Sequence, residues 1–526
     1  MSISIDLDLP VDPSNGKRCN IARIVSGGGG GDPLPGLLPA GYFAPARAPL
    51  AWENPNGNEG LRSASNWAHS QFNWQQSFTV EFGSPPYIFY LTNPVAGVSV
   101  IPRAPERNQY LYLWCDVVID RAEFQSGTKT FELNCMDQNG TVISLEKTVT
   151  LDDDKFVFAR KGSAGGDGTH DAPFDDLIEI YTTSDADATH AGKVLMLREG
   201  GTFTATNFDT DNAALAWNLN KPSAILNYPG ETWVIDADVN IILGESAGSG
   251  FNDYYIRGGQ IINSIPVSMA NRKIFALFGS HERVIIENVQ VIEPFAGTVG
   301  TDNEACVYTA NNGFDSHVNL SIINLSASGL PSSPNGFALV DFYGVSHAVV
   351  LGGRVTGSVT GQGMWLKARN QSVMLAGVDY YEESGQTVDR VFYPNQADSG
   401  LLDPPGIVQF LACKGYRSAD GLFAQSISLT GDSNQAYGIV IYDRCVMVGG
   451  VRDGGDDAPT LGEATFYGCI IINDLADKIP IFATSVNNIT ASRSSLRTYL
   501  ETDGNTVSTL PQYGQVGSTF IQAEAA

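Results

Sequence analysis

The sequence predicts an all-β protein in which a long solenoid of parallel strands follows a smaller β unit, and three observations predict it. Short segments rich in Val, Ile, Phe and Tyr recur through the second half of the chain, each broken near a Gly, Asn or Cys. With 56 Gly and only 17% charged residues, the composition favours many short strands joined by turns over helices. The 526 residues exceed what one compact core organises, and a repeat that stacks unit on unit escapes that limit.

Residues 1–36 read as an extended arm. They run from alternating SISIDLDL through five glycines at 27–31 to the Pro-rich DPLPGLLPAG, and such a segment cannot bury enough apolar surface to fold alone. An arm of this kind predicts a partner, and a homo-oligomer such as a trimer is the assembly expected.

From 37 to 152 the pattern changes to alternating strands: QSFTVEF, YLYLWCDVVID and TKTFELNCMDQNGTVISLEKTVTL. The last is two strands around a turn at Asp137-Gln-Asn-Gly140, flanked by period-two apolar residues. These residues resemble the PKD and immunoglobulin-like sandwich family: Ala48-Pro49-Leu50 looks like its opening strand and the final stretch its closing hairpin. The family's aspartate-rich turn does not follow Trp114. The resemblance implies a β-sandwich and says almost nothing about chemistry.

Residues 153–480 carry the solenoid. FVFARKGSAGGDGTHDAPFDDLIEIY, then KVLMLREGGTF, reads as a strand, a Gly/Asp/Thr loop, Pro173, a short amphipathic capping helix and another strand. Anchors at Ile256, Ile286, Ile322, Leu351, Leu375, Leu411, Tyr442 and Phe466 then recur at steps of 30, 36, 29, 24, 36, 31 and 24, a mean of (466 − 256)/7 = 30. That is the length of one solenoid coil, with variable loops. The order resembles the right-handed parallel β-helix of the pectate-lyase-like superfamily, which includes tailspike-type proteins. Alignment of the coils stacks Cys413, Cys445 and Cys469 as an internal ladder and puts Ser280-His281, Ser346-His347 and Asn370-Gln371 at one corner. Residues 481–526 lose the repeat and are expected to cap the open C-terminal end or to carry an oligomerisation element.

The balance of 31 Lys+Arg against 57 Asp+Glu gives −26, which argues against nucleic acid and anionic membrane surfaces as partners. Seven cysteines without a CxxC pair predict neither a disulfide framework nor a zinc site. No cofactor is expected. Ca²⁺ is the one ion the acidic clusters Asp152 to Asp154, Asp209/Asp211 and Asp456/Asp457 invite, and none supplies a full ligand loop. The N-terminus shows neither a basic nor an apolar signal region and no run is long enough to span a bilayer, so export by cell lysis, as for virion parts, or a mature form is expected, without membrane insertion.

The resemblance implies carbohydrate as the ligand class, a polysaccharide or cell-surface glycan held along a lateral sheet. For a lyase, the best cluster is Trp365, Lys367 and Arg369, which alternate on one strand, followed by Tyr380, Tyr381 and Glu382. Lys367, Arg369 and Tyr380 are the catalytic candidates; Trp365, Tyr381, Glu382 and Tyr393 are the sugar-binding ones. The alternative for these residues is an inward Trp365 with cations capping a turn. Carboxylates for a hydrolase are offered by Glu382/Glu383, Asp389 and Asp453/Asp456/Asp457; those of DGGDD lie on a turn, where solvation explains them, and polygalacturonase-type aspartate and GHG signatures are absent. His281 and His347 offer bases that titrate near neutrality, or simply loop hydrogen bonds. Two functions stand: a structural or receptor-binding virion protein (tailspike, fibre or decoration subunit) displaying its solenoid to a glycan, and a polysaccharide lyase acting on a uronate-containing glycan.

Overall fold

The computed structural model describes residues 42–53, 66–106, 108–109, 111–177, 180 and 189–204, and then the strands and corners of the solenoid. Those are 222–236, 241–243, 251–262, 273–278, 281–292, 304–310, 318–330, 337–342, 344–357, 362–366, 372–382, 390–394, 406–416, 425–428, 439–448, 451–452, 463–473, 481–482, 489–492, 495–502, 506–509 and 518–519. The expected arm, 1–36, and most of the expected capping helix lie outside them. Leu177 and Ile180, the latter helical, are both fully buried in the solenoid core.

The N-terminal unit is two four-stranded sheets around one core. One is ordered Ala51–Trp52, Trp74–Glu81, Trp114–Ile119, Val98–Arg103; the other Trp67–Ala68, Val142–Leu151, Thr128–Met136, Ile88–Leu91. The expected hairpin forms between Thr128–Met136 and Val142–Leu151. Its turn is built by Asp137, whose carboxylate accepts from the backbone N–H groups of Asn139 (3.0 Å), Thr141 (2.9 Å) and Ser84 (3.1 Å), with Gly140 at φ +82°. A short 3₁₀ turn, Asp153–Lys155, then leads straight into the first solenoid strand, Phe156–Ala159.

The rest is a parallel β-helix of three sheets with 13, 12 and 9 strands among the described residues. The first sheet begins Phe156–Ala159, Val194–Leu197, Ala224–Asn227, Phe251–Arg257; the second starts at Phe203–Thr204 and the third at Ile241–Leu243. Between the first and second sheets one corner repeats in eight coils among the described residues, at Gly258, Asn288, Asn324, Gly352, Gly377, Ala412, Arg444 and Gly468. All have φ between +50° and +73°. This left-handed residue turns the chain, and Gly or Asn accommodates it most easily. Its N–H bonds the neighbouring coil, as in Asn288 N to Ile323 O (2.8 Å), Asn324 N to Leu351 O (2.8 Å) and Gly377 N to Leu411 O (2.8 Å). The corner is what the sequence shows as a strand broken near Gly, Asn or Cys.

The residue after the corner points inward. Val289, Leu325, Val378, Cys413, Cys445 and Cys469 fill this slot, so the cysteine ladder is a packing column. Each of its thiols lies against a carbonyl of another strand of the stack, Leu375, Phe410 and Tyr442 respectively, at 3.2–3.3 Å. Beside it Phe410, Tyr442 and Phe466 stack with ring centroids 4.9 and 4.8 Å apart. At the C-terminal end the parallel register continues through Ile489–Ser492 and Ser495–Thr502, after which Thr506–Thr509 and Ser518–Thr519 pair antiparallel and close two of the sheets.

The two units are joined along their length. Ile323, Val349, Leu351, Met374, Ala376 and Leu411, on the outer face of the first sheet, belong to the same apolar cluster as Phe78, Val80, Trp114 and Val117 of the N-terminal unit. Each large side chain buried there contributes about 1.5–3 kcal/mol relative to exposure. This seam corrects the register read from sequence. Strand pairing aligns Ile256, Ile286, Ile322, Val350, Leu375, Phe410, Tyr442 and Phe466, so the anchors Leu351 and Leu411 are each one residue late. Both neighbours are apolar because one faces the solenoid core and the other the N-terminal unit.

Candidate functional site

With the first sheet covered, lateral surface has to come from the other two. On the second sheet, the first strand position after the corner aligns Gln260, Gln290, Ser326, Arg354, Asp379 and Lys414 in six successive coils. Adjacent parallel strands lie about 4.8 Å apart, so the polar groups form a ridge with that repeat. Gln260 Nε2 donates to Gln290 Oε1 at 3.1 Å, which orders the first two members.

The ridge borders a cavity of about 310 Å³ lined by Ala104, Glu106, Asn324, Ser326, Gly353, Arg354, Gly377 and Asp379. Its roof is the 104–106 loop of the N-terminal unit, held in place by Pro105 against the Gly377 corner and by Asn108 Nδ2 donating to Ala412 O at 3.1 Å. Its floor is a run of corners. A Cβ at Gly377 would come within 2.3 Å of Pro105, so glycine is what admits the roof this close. Asp379 is buried, and Arg354 and Glu106 are exposed. The arrangement offers amide, hydroxyl, carboxylate and guanidinium groups side by side, the mixture that hydrogen-bonds hydroxyl-rich ligands.

The residues singled out from sequence fall on two sheets. Tyr380 is fully buried in the solenoid core, which corrects its assignment as a surface base. Tyr381 and Glu382 follow it on Asp379–Glu382, the strand whose first residue lines the cavity, and Tyr381 is in register with Tyr416 of the next coil. Trp365 and Tyr393 are on the third sheet, in register with each other and with Asp341 and Tyr308. Met364 and Leu366, flanking Trp365, are both fully buried. Burial and the neighbouring Asp341 push the Tyr308 hydroxyl up to about 12, and Lys273 Nζ sits 4.5 Å from its ring centroid. Lys367 and Arg369 lie outside the described residues, as do Glu383, Asp389, Asp453, Asp456 and Asp457.

His347 belongs to the seam. Its Nδ1 is 3.0 Å from Glu81 Oε1, a hydrogen bond that raises its pKa, and Ser372 Oγ donates to the other oxygen of the same carboxylate at 3.1 Å. His281 is not at its level: His281 pairs with Val318, whereas His347 pairs with Asn319 across a register shift. Among the described residues no group of three His, Cys, Asp or Glu is placed to hold a metal ion, and no helix is long and apolar enough to cross a membrane.

Sequence reading missed Glu106, Asn324, Ser326, Arg354 and Asp379. The signal was there: had the Gly/Asn/Cys corner served as the anchor, the residue two places beyond the left-handed position reads Gln, Gln, Ser, Arg, Asp and Lys in the first six of the eight corners, and turns apolar at Val446 and Ile470 in the last two. Comparison with protein-family models, with curated proteins and with solved structures finds no match to this chain.

Proposed function

We propose that this protein is a glycan-binding surface protein of the tailspike or fibre kind, contacting its ligand with the ridge on the second sheet and the adjoining cavity. The observation that carries the reading is the run of six polar residues in register, Gln260 to Lys414, beside a cavity lined by Glu106, Arg354 and Asp379. A repeat near 4.8 Å is close to the length of one pyranose unit, so successive sugars of an extended chain meet successive coils. Tyr381, on the strand whose first residue lines the cavity, is the residue this proposal assigns to stacking on a sugar ring. Assembly into a homo-oligomer through the N-terminal arm, and a place on a virion or another extracellular surface, belong to this proposal and rest on the arm's composition.

The test is binding to a panel of neutral and acidic polysaccharides by the full chain and by Arg354→Ala. A glycan that binds the wild type is expected to lose about tenfold in affinity, or roughly 1.4 kcal/mol, in the variant. Binding unchanged by Arg354→Ala and by Gln290→Ala would remove the ridge from the reading. The lyase alternative is tested on the same panel through the ultraviolet absorbance of unsaturated uronate ends. Product formation abolished by Lys367→Ala would replace the binding reading with the enzyme.

A further inference from the structure

The seam holds a buried chain of polar groups with one proton too few for two carboxylates. Ser77, on the strand Trp74–Glu81, places its Oγ 2.7 Å from Asp116 Oδ1 and 2.8 Å from Glu287 Oε1. All three residues are buried. A serine hydroxyl has a single proton and can donate to one of these oxygens only. The other contact, at hydrogen-bond length away from water, then needs a proton on the carboxyl side, because two oxygen lone pairs facing each other there repel.

The surroundings decide which carboxyl carries it. Asp116 Oδ2 faces a cation and an amide: it accepts from Arg103 Nε at 2.6 Å, a charge-assisted bond, and from Gln75 Nε2 at 3.3 Å. Glu287 faces neutral donors, Tyr255 Oη on Oε2 and Asn288 Nδ2 (3.0 Å) on Oε1. The nearby cation, Arg257, directs Nη1 to Gln75 O (2.8 Å) and Nε to Asn227 Oδ1 (3.3 Å). We propose that the seam between the N-terminal unit and the solenoid holds one proton at neutral pH on the chain Glu287, Ser77, Asp116, with Glu287 the protonated member, so that acid tightens this joint and alkali loosens it. Burial, the largest cause, and the charge of Asp116 raise the Glu287 pKa, against the opposing pull of Arg257 and of the hydrogen bonds from Tyr255 and Ser77.

The sign follows from linkage. A carboxyl whose folded pKa is raised contributes stability that is fully present below its unfolded pKa, near 4.3, and is lost as pH rises through the folded value. Other groups on the seam share this sign: Asp443, which accepts from Ala44 N at 2.7 Å and is pushed by burial up to about 7, His347 beside Glu81, and the Tyr255 hydroxyl on Glu287, which burial raises further above its ordinary strongly alkaline range. The His69 imidazole, at the solenoid entry near Asp153 and His170, is lowered by burial and has the opposite sign.

A readout specific to Glu287 is therefore required. The infrared difference between wild type and Glu287→Gln at pH 7 is expected to contain the carbonyl stretch of a protonated carboxylic acid, and that band is expected to disappear as pH is raised. Unfolding of the full chain in an Asp443→Asn, His347→Gln background is expected to lose most of its remaining sensitivity to mildly alkaline pH when Glu287→Gln is added, because the amide keeps the donor to Ser77 at every pH. Ser77→Ala provides a second variant, expected to shift the pH at which the band disappears. Absence of the band from the wild type at pH 7, or an unchanged alkaline sensitivity in Glu287→Gln, would overturn the proposal.

Discussion

Gly259→Ala is expected to destabilise the chain by about 2–5 kcal/mol, the sum of a left-handed backbone penalty of roughly 1–2 kcal/mol and overpacking of roughly 1–3 kcal/mol. Gly259 sits at φ +87°, one residue past the left-handed corner at Gly258. In other coils this inward slot holds Val289, Leu325 or Val378. Here Trp233 occupies the space: a Cβ on Gly259 would lie 2.1 Å from Trp233 Cδ2 and 2.2 Å from Cε2. The indole cannot easily yield, since it is buried and its Nε1 donates to Arg257 O at 3.3 Å. Urea unfolding measures the loss. In a double-mutant cycle, Trp233→Leu is expected to recover part of it by vacating the slot, and the two changes are expected to be strongly non-additive. Simple additivity would mean that ring and corner do not meet.

Leu351→Ala is expected to cost about 2–5 kcal/mol, as for a core leucine, although Leu351 points away from the solenoid axis. It is fully buried, and its neighbours are the side chains of the N-terminal unit. The comparison that gives this meaning is Ile262→Ala, an outward-facing position on the second sheet where the isoleucine is 37% exposed. That change is expected to stay within about 0.5–1 kcal/mol of the wild type. Thermal or denaturant unfolding of the two variants side by side checks it. Equal, small effects would show that the N-terminal unit does not cover the first sheet in solution.

These variants also mark what the amino-acid order reveals and what it hides. The solenoid is legible because turn residues punctuate it at a mean step of 30, and the left-handed corner forces Gly or Asn at most of those breaks. The one-residue slip at Leu351 and Leu411 has a physical origin. A strand with one solvated face alternates apolar and polar residues and announces its register, whereas a strand buried on both faces does not. Double burial in turn depends on contacts far apart in the chain, such as Thr79 to Ser321 and Glu81 to Ser372, which no local pattern encodes. The same limit applies to the site. Tyr380 and Tyr381 look alike as letters, and only the phase of the coil assigns Tyr380 to the core. Glu106 joins Asp379 through the packing of one unit on the other.

The contact between Ala44 and Asp443 spans 399 residues, and Arg444 Nε reaches back to Tyr42 O at 2.6 Å. On the ribosome, Ala44 emerges 399 residues ahead of the carboxylate it binds. At about 5–20 residues per second it waits roughly 20–80 s for its partner to be made. Over much of that interval the N-terminal unit presents the apolar face of Phe78, Val80 and Val117 without the coils carrying Ile323, Leu351 and Leu411 that later cover it. Biogenesis of this protein is therefore a race between arrival of the coils and capture of that face by other chains, and slowing elongation between the N-terminal unit and residue 351 lengthens the window of exposure.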